Sequence, residues 1–161
     1  MPLEIERKFL LSNDGWRSLV RDSEMLRDGL LTASPSGKVR VRTYRDRATL
    51  ALKSATHGLV RSEYEYVIPT VDAEEMLARH CGNNVLEKIR HYIDFQGFTW
   101  EVDEYRGLLS GVIIAEIELD SVDVDLPLPP WVGAEITGDP AYKKLNMLSA
   151  RRIAPIDPTK T

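Results

Sequence analysis

The chemically suggestive feature of this chain is a set of like-charged pairs spaced two residues apart. Glu4 and Glu6 flank Ile5, and Glu116 and Glu118 flank Ile117. Arg40 and Arg42 flank Val41, and Lys88 and Arg90 flank Ile89. On a β-strand, residues two apart share a face and stand about 7 Å apart along it. Each pair would therefore set two like charges side by side. Paired carboxylates repel unless a cation lies between them, and their oxygens suit hard divalent cations such as Mg²⁺ or Mn²⁺. Arg forks and Lys point charges suit phosphate oxygens. A surface carrying both patches is fitted to a metal-bound polyanion. The plainer reading is a solvated outer face, because charges usually face water. Segregation of acids and bases by strand argues against it.

The elements that must hold these residues are short and alternating. Leu3, Ile5, Phe9 and Leu11 fall on one face of the first segment, and Glu4, Glu6 and Lys8 fall on the other. That period of two predicts a strand. Further strands are predicted over 25–32, 38–44, 48–53, 60–68, 85–95, 98–106 and 112–119, with Asn13-Asp14-Gly15, Pro35-Ser36-Gly37, His57-Gly58 and Gln96-Gly97 as turns. Helices are predicted as a short piece over 16–20 and longer ones over 71–80 and 141–150; the run Pro127, Pro129, Pro130 reads as a loop. The charged face collects Glu4, Glu6, Lys8, Arg40, Arg42, Lys53, Arg61, Glu63, Glu65, Lys88, Arg90, Glu101, Asp103, Glu116 and Glu118. About eight hairpin-linked strands with two or three helices predict a mainly β (α+β) fold around a closed antiparallel sheet. If that sheet closes with the charged face inward, its interior is a wet tunnel and its apolar faces pack on flanking helices.

Composition bounds the reading. A chain of 161 residues with 43% hydrophobic and 29% charged residues suits one globular domain. Residues 1–154 are expected to form it, with 155–161 as a mobile tail. The net charge of −4 argues against a broad nucleic-acid surface. No apolar run reaches the roughly 18 residues a bilayer span needs, and a single cysteine, Cys81, points to a reducing, cytoplasmic setting. His57, His80 and His91 lack ligand spacing.

The run Glu4-Ile5-Glu6-Arg7-Lys8 is E-x-E-x-K, and it resembles the signature strand of the CYTH superfamily, the triphosphate tunnel metalloenzymes. The resemblance continues in order through Val39-Arg40-Val41-Arg42, Leu52-Lys53, Arg61-Ser62-Glu63-Tyr64-Glu65, Lys88-Ile89-Arg90, Trp100-Glu101-Val102-Asp103, Glu116-Ile117-Glu118 and Tyr142-Lys143. It implies a closed eight-stranded antiparallel β-barrel, with triphosphate and Mg²⁺ or Mn²⁺ held inside. It also implies metal ligation by Glu4, Glu6, Glu116 and Glu118, with Glu65, Glu63 or Asp103 supporting a second metal or the attacking water. Phosphate binding falls to Lys8, Arg40, Arg42, Lys53, Arg61, Lys88, Arg90 and Lys143, and Lys88, Glu63 and Asp103 are the catalytic candidates. The short bacterial members that this chain resembles hydrolyse inorganic tripolyphosphate. Thiamine triphosphatases and class IV adenylate cyclases are relatives, and a non-catalytic polyphosphate-binding module is the alternative from another class. The expected partner is a small triphosphate, with no nucleic acid and no membrane, and a homodimer is allowed. Two departures stand out: Leu30 occupies the place of a second-strand Tyr that works with the lysine matching Lys88, and Tyr142-Lys143-Lys144 replaces Tyr-x-Asn.

Overall fold

The computed structural model describes residues 2–153, so the expected tail over 155–161 lies outside the described residues. Its strands are β1 (Leu3–Leu11), β2 (Asp22–Ser34), β3 (Gly37–Thr43), β4 (Ala48–Ser54), β5 (Val60–Ile68), β6 (Val85–Phe95), β7 (Phe98–Tyr105), β8 (Ile113–Glu118) and β9 (Val132–Glu135). Helix α1 (Thr70–Arg79) follows β5, and α2 (Lys144–Ile153) closes the described chain. The hydrogen-bonded order β5-β4-β3-β2-β6-β7-β8-β1 closes on itself because β1 also pairs with β5. Every pairing is antiparallel. The expected eight-stranded barrel is therefore present.

The ninth strand has no counterpart in the sequence reading, which assigns no element to 132–135. Phe9 pairs with Ala115 of β8 and with Glu135 of β9, so β9 takes the edge of β1 that β5 leaves free. It is pinned by the Ile136 amide on the Lys8 carbonyl and by the Lys8 amide on Thr137 Oγ1, both 2.9 Å. The last helix also differs. The expected span 141–150 is divided into a 3-10 turn (Pro140–Tyr142), capped by the Asp139 side chain on the Ala141 amide, and α2 proper.

Register fixes which side chains enter the bore. Glu6 opposes Glu118 and Lys8 opposes Glu116 across β1 and β8; Arg90 opposes Asp103 across β6 and β7; Lys53 opposes Glu63 across β4 and β5. All the charged residues named above share the inner face.

The outer face is covered in two ways. Over β2, β3 and β4, α1 inserts Ala73 and Leu77 against Val41 and Ala48. Gly29 makes that approach feasible, since a Cβ there would lie 2.5 Å from Cys81 Sγ and 2.6 Å from Leu77 Cδ2. On the other side, Phe9, Trp100, Ala115 and Ile117 are covered by Trp16, Leu126 and Trp131 from non-strand segments rather than by a helix. Phe9, Trp100 and Trp131 meet edge to face at 5.5 and 5.6 Å, an arrangement aromatic quadrupoles favour. The bore is not charged throughout: inward Leu86, Tyr105 and Ile114 join Met147 and Leu148 of α2 in an apolar cluster. The C-terminal helix thus packs into the barrel interior.

Candidate functional site

A cavity of about 940 Å³ fills the barrel, lined by Glu4, Glu6, Lys8, Arg40, Arg42, Lys53, Arg61, Glu63, Glu65, Arg90, Glu116, Glu118, Lys143 and others. A second cleft of about 610 Å³ opens beside it at Glu4, Glu63, Glu65, Glu118 and Asp120. The bore therefore has an acidic opening. Its other mouth lies at the β2–β3 and β4–β5 turns, where Pro35, Gly37, Ala55 and Gly58 line the cavity.

At the acidic end, Glu4, Glu6 and Glu118 each present a carboxylate oxygen within 4.8 Å of the others. This arrangement follows from β1 carrying Glu4 and Glu6 on one face while β8 sets Glu118 opposite Glu6. Three carboxylates this close are a hard-donor set fit for a divalent cation. Burial, with Glu4 and Glu6 close by, pushes the Glu118 carboxyl above its usual range. Glu4 behaves oppositely. Burial works to raise it, yet Lys53 at 3.1 Å and Arg61 at 3.0 Å hold it down at about 2. Lys53 also meets Glu63 at 3.0 Å.

Toward the middle, Lys8 lies 3.5 Å from Glu6 and 3.6 Å from Glu116, and Arg40 reaches Glu65 at 3.4 Å. These contacts are long for ion pairs. The Arg40 Nε, though buried, has no hydrogen-bond acceptor among the described residues.

Deepest lies a tightly paired floor. Arg90 donates two hydrogen bonds to Asp103, at 2.8 and 2.9 Å, and meets Glu101 at 2.5 Å. Lys88, fully buried, meets Asp103 at 2.7 Å and Asp28 at 3.5 Å. Arg42 forks onto Asp28 at 2.5 and 2.8 Å. Burial opposes the charge on Asp103, but Arg90 and Lys88 outweigh it and hold the carboxyl at about 2.

The structure thus brings together every residue singled out from the sequence, at different depths. Lys88 and Asp103 lie beneath the cavity wall, whereas Lys143 is exposed at its rim. The inward lysine of α2 is Lys144, 3.6 Å from Asp28. Sequence reasoning gave no role to Asp28, Lys38 or Lys144, and set Glu101 on the charged face without assigning it one. The first three had a usable signal: Asp28 and Lys38 share strand faces with Glu24 and Arg40, and Lys144 follows the motif position directly. Leu30 does line the cavity, opposite Arg40. Among the described residues no helix is long and apolar enough to cross a membrane.

Similar proteins share this architecture. The inorganic triphosphatase of Acetivibrio thermocellus is 42% identical over 148 residues, covering 92% of this chain and 94% of that protein. The inorganic triphosphatase of Nitrosomonas europaea is 36% identical over 147 residues, covering 87% and 93% respectively. A crystal structure of an inorganic triphosphatase superposes with a TM-score of 0.63 at 32% identity, covering 92% of this chain and 95% of that one. The CYTH domain profile matches residues 2–146, nearly the whole of the described barrel, and with these relatives it establishes that the chain belongs to the CYTH domain family.

Proposed function

We propose that the protein hydrolyses a phosphoanhydride bond of inorganic tripolyphosphate, with Mg²⁺ or Mn²⁺, inside the barrel. The observation that carries this reading is the meeting, in one closed bore, of the Glu4–Glu6–Glu118 cluster with basic side chains, of which Lys8 and Arg40 have only long contacts with carboxylates. The two relatives named inorganic triphosphatase support it.

Glu4, Glu6 and Glu118 would hold the metal ion, with Glu116 and Glu65 beside them. A divalent ion bound there supplies charge neutralisation and lowers the pKa of a coordinated water. The remaining steps belong to the side chains. Lys8, Arg40, Lys53 and Arg61 bind the phosphate oxygens and orient the chain along the bore, exchanging contacts with carboxylates, long ones for Lys8 and Arg40, for charge-assisted hydrogen bonds to substrate. Arg42 and Arg90, with Lys88 behind them, stabilise charge developing on the leaving pyrophosphate. Asp103 and Asp28 position those three cations, because their oxygens are already taken by them. Asp103 therefore acts through its neighbours rather than as a proton acceptor. Glu63, at the acidic end, takes the proton as water oxygen bonds to the terminal phosphorus and the bridging P–O bond breaks. Orthophosphate and pyrophosphate leave. Such phosphoryl transfer depends on positioning and charge stabilisation, with no covalent nucleophile from the protein.

The test is product identity. Tripolyphosphate, ATP and thiamine triphosphate are each supplied with Mg²⁺, Mn²⁺ or EDTA, and orthophosphate, pyrophosphate and cyclic AMP are measured. Metal-dependent orthophosphate release fastest from tripolyphosphate is expected. Cyclic AMP with pyrophosphate from ATP would replace this reading with a cyclase. Binding of tripolyphosphate with no product would replace it with a binding module.

A further inference from the structure

The barrel wall has an opening one strand wide. Strand β5 runs on to Ile68, but β1 pairs with it only at Leu3–Ser62, Glu4–Arg61 and Ile5–Val60. The Pro2 carbonyl adds one contact, accepting from the Glu63 amide at 3.2 Å. Beyond it, β4 pairs with one edge of Tyr64 to Ile68, and among the described residues no strand takes the other edge. Successive residues of an antiparallel strand turn their amides and carbonyls to opposite edges. The Glu63 amide points toward β1, so the main-chain groups of Glu65 and Val67 line the open edge. That edge is about 17 Å long.

The cleft of about 610 Å³ lies in this opening, between Glu63–Tyr66 of β5 and Glu118–Asp120 at the end of β8. Its two sides differ in chemistry. Glu65 and Glu118 share the inner face, Asp120 follows them, and no basic residue lines the cleft. Glu118 and Asp120 form no ion pair among the described residues. On the outer face, Leu3 and Tyr66 are 60% and 64% exposed, with Tyr64 half-buried between them. Farther along the edge, Val67 is 75% exposed. An uncovered strand edge with apolar neighbours is a template for another strand.

Charge decides the occupant. A second copy pairing edge to edge would bring the Glu63 and Glu65 carboxylates of both chains onto one face, and like charges facing across strands are destabilising. A strand with basic residues at every second position is complementary instead. Its basic side chains meet Glu65 and Glu118, and the apolar residues between them cover Tyr64, Tyr66 and Leu3.

We propose that the open edge of β5 docks an extended segment of a partner protein, alternately basic and apolar, by strand addition. The segment hydrogen-bonds to the main chain of Glu65 and Val67 and continues the wall where β1 stops.

Two synthetic peptides of equal composition test it by calorimetric titration in EDTA. One alternates, acetyl-Lys-Val-Lys-Val-Lys-Val-amide; the other is in blocks, acetyl-Lys-Lys-Lys-Val-Val-Val-amide. Each is titrated into wild type, Val67→Pro and Val67→Thr. Proline at 67 removes an amide that faces the open edge and leaves the ladder to β4 intact, so the melting temperature is expected to hold. One lost hydrogen bond corresponds to about a tenfold change in affinity. Wild type is expected to bind the alternating peptide about tenfold more tightly than the block peptide. Val67→Pro is expected to weaken the alternating peptide about tenfold, and Val67→Thr to stay within about twofold of wild type. Equal affinity for the two peptides would reduce the cleft to an unspecific acidic surface and overturn the proposal. Binding of neither peptide, or unchanged binding by a folded Val67→Pro, would also overturn it. The contrast between peptides in wild type decides even if Val67→Pro fails to fold. A wild-type dimer in sedimentation that Val67→Pro dissolves would give the edge to a second copy instead.

Discussion

The floor of the bore and its upper wall are built from the same residue types and are electrostatically opposite. On the floor, Arg42, Lys88 and Arg90 are matched by Asp28 and Asp103 at 2.5–2.9 Å, with the lone longer contact from Lys88 to Asp28. Higher up, contacts of Lys8 and Arg40 stretch to 3.4–3.6 Å and three carboxylates face each other. A buried charge is tolerated when paired and hydrogen-bonded. The floor comes closer to that condition than the upper wall does, although Lys88 Nζ is ion-paired without a hydrogen bond among the described residues. Charge left unmatched in a fold marks where a ligand completes it.

Breaking each region should therefore give opposite phenotypes. The largest effect on activity is expected from Glu118→Ala, which should lower turnover of tripolyphosphate by at least about a thousandfold if the metal is lost. Its metal-free melting temperature should hold or rise, because the Glu118 charge is disfavoured by burial and by Glu4 and Glu6. A fall in melting temperature with activity preserved would reverse the comparison. On the floor, Asp103→Ala strands two buried cations and is expected to cost about 3–5 kcal/mol of stability, measured by urea unfolding. A change under about 1 kcal/mol would mean the floor is not self-paired.

A pH titration sharpens the boundary between the regions, because Glu101 lies on it. Burial, with Glu116, Asp103 and Glu118 near, lifts its carboxyl from 4.5 to about 7, against the pull of Arg90. Within that window the folded state keeps a proton that the unfolded chain has released. Stability of the metal-free protein from this group should accordingly fall as pH rises from 4.5 to about 7. The melting difference, Glu101→Gln minus wild type, is expected to grow in favour of the variant between pH 5 and pH 8. A flat difference would remove Glu101 from the strained set. The smallest effect should come from outside the bore. Arg7 and Glu135 form a half-exposed fork at 2.7–2.9 Å, and Arg7→Ala should cost under about 1 kcal/mol with turnover unchanged.

Much of this was legible from alternation. Glu4-x-Glu6-x-Lys8 and its counterparts fix which side of each strand enters the bore, and they do so strand by strand. Depth was not legible. Whether Arg90 and Asp103 sit at the floor or Lys38 at the mouth depends on how eight tilted strands are staggered around the barrel, a property of closure rather than of any one segment. The same limit hid the exchange between Lys143 and Lys144, since the 3-10 turn before α2 rotates the following residues relative to a continuous helix. Strand β9 escaped because four residues after Pro129-Pro130 carry too little periodicity. Its stability comes from tertiary contacts, Thr137 on the Lys8 amide and Glu135 on Arg7.

The most direct measurement is electron paramagnetic resonance titration of Mn²⁺ into wild type and Glu118→Gln, with and without tripolyphosphate. Tight Mn²⁺ binding to wild type, strengthened by tripolyphosphate and lost in Glu118→Gln, is the expected result. Equal Mn²⁺ binding by both proteins would contradict the assignment of the acidic end as the metal site, and with it the view that the bore's unmatched charge belongs to a metal-bound triphosphate.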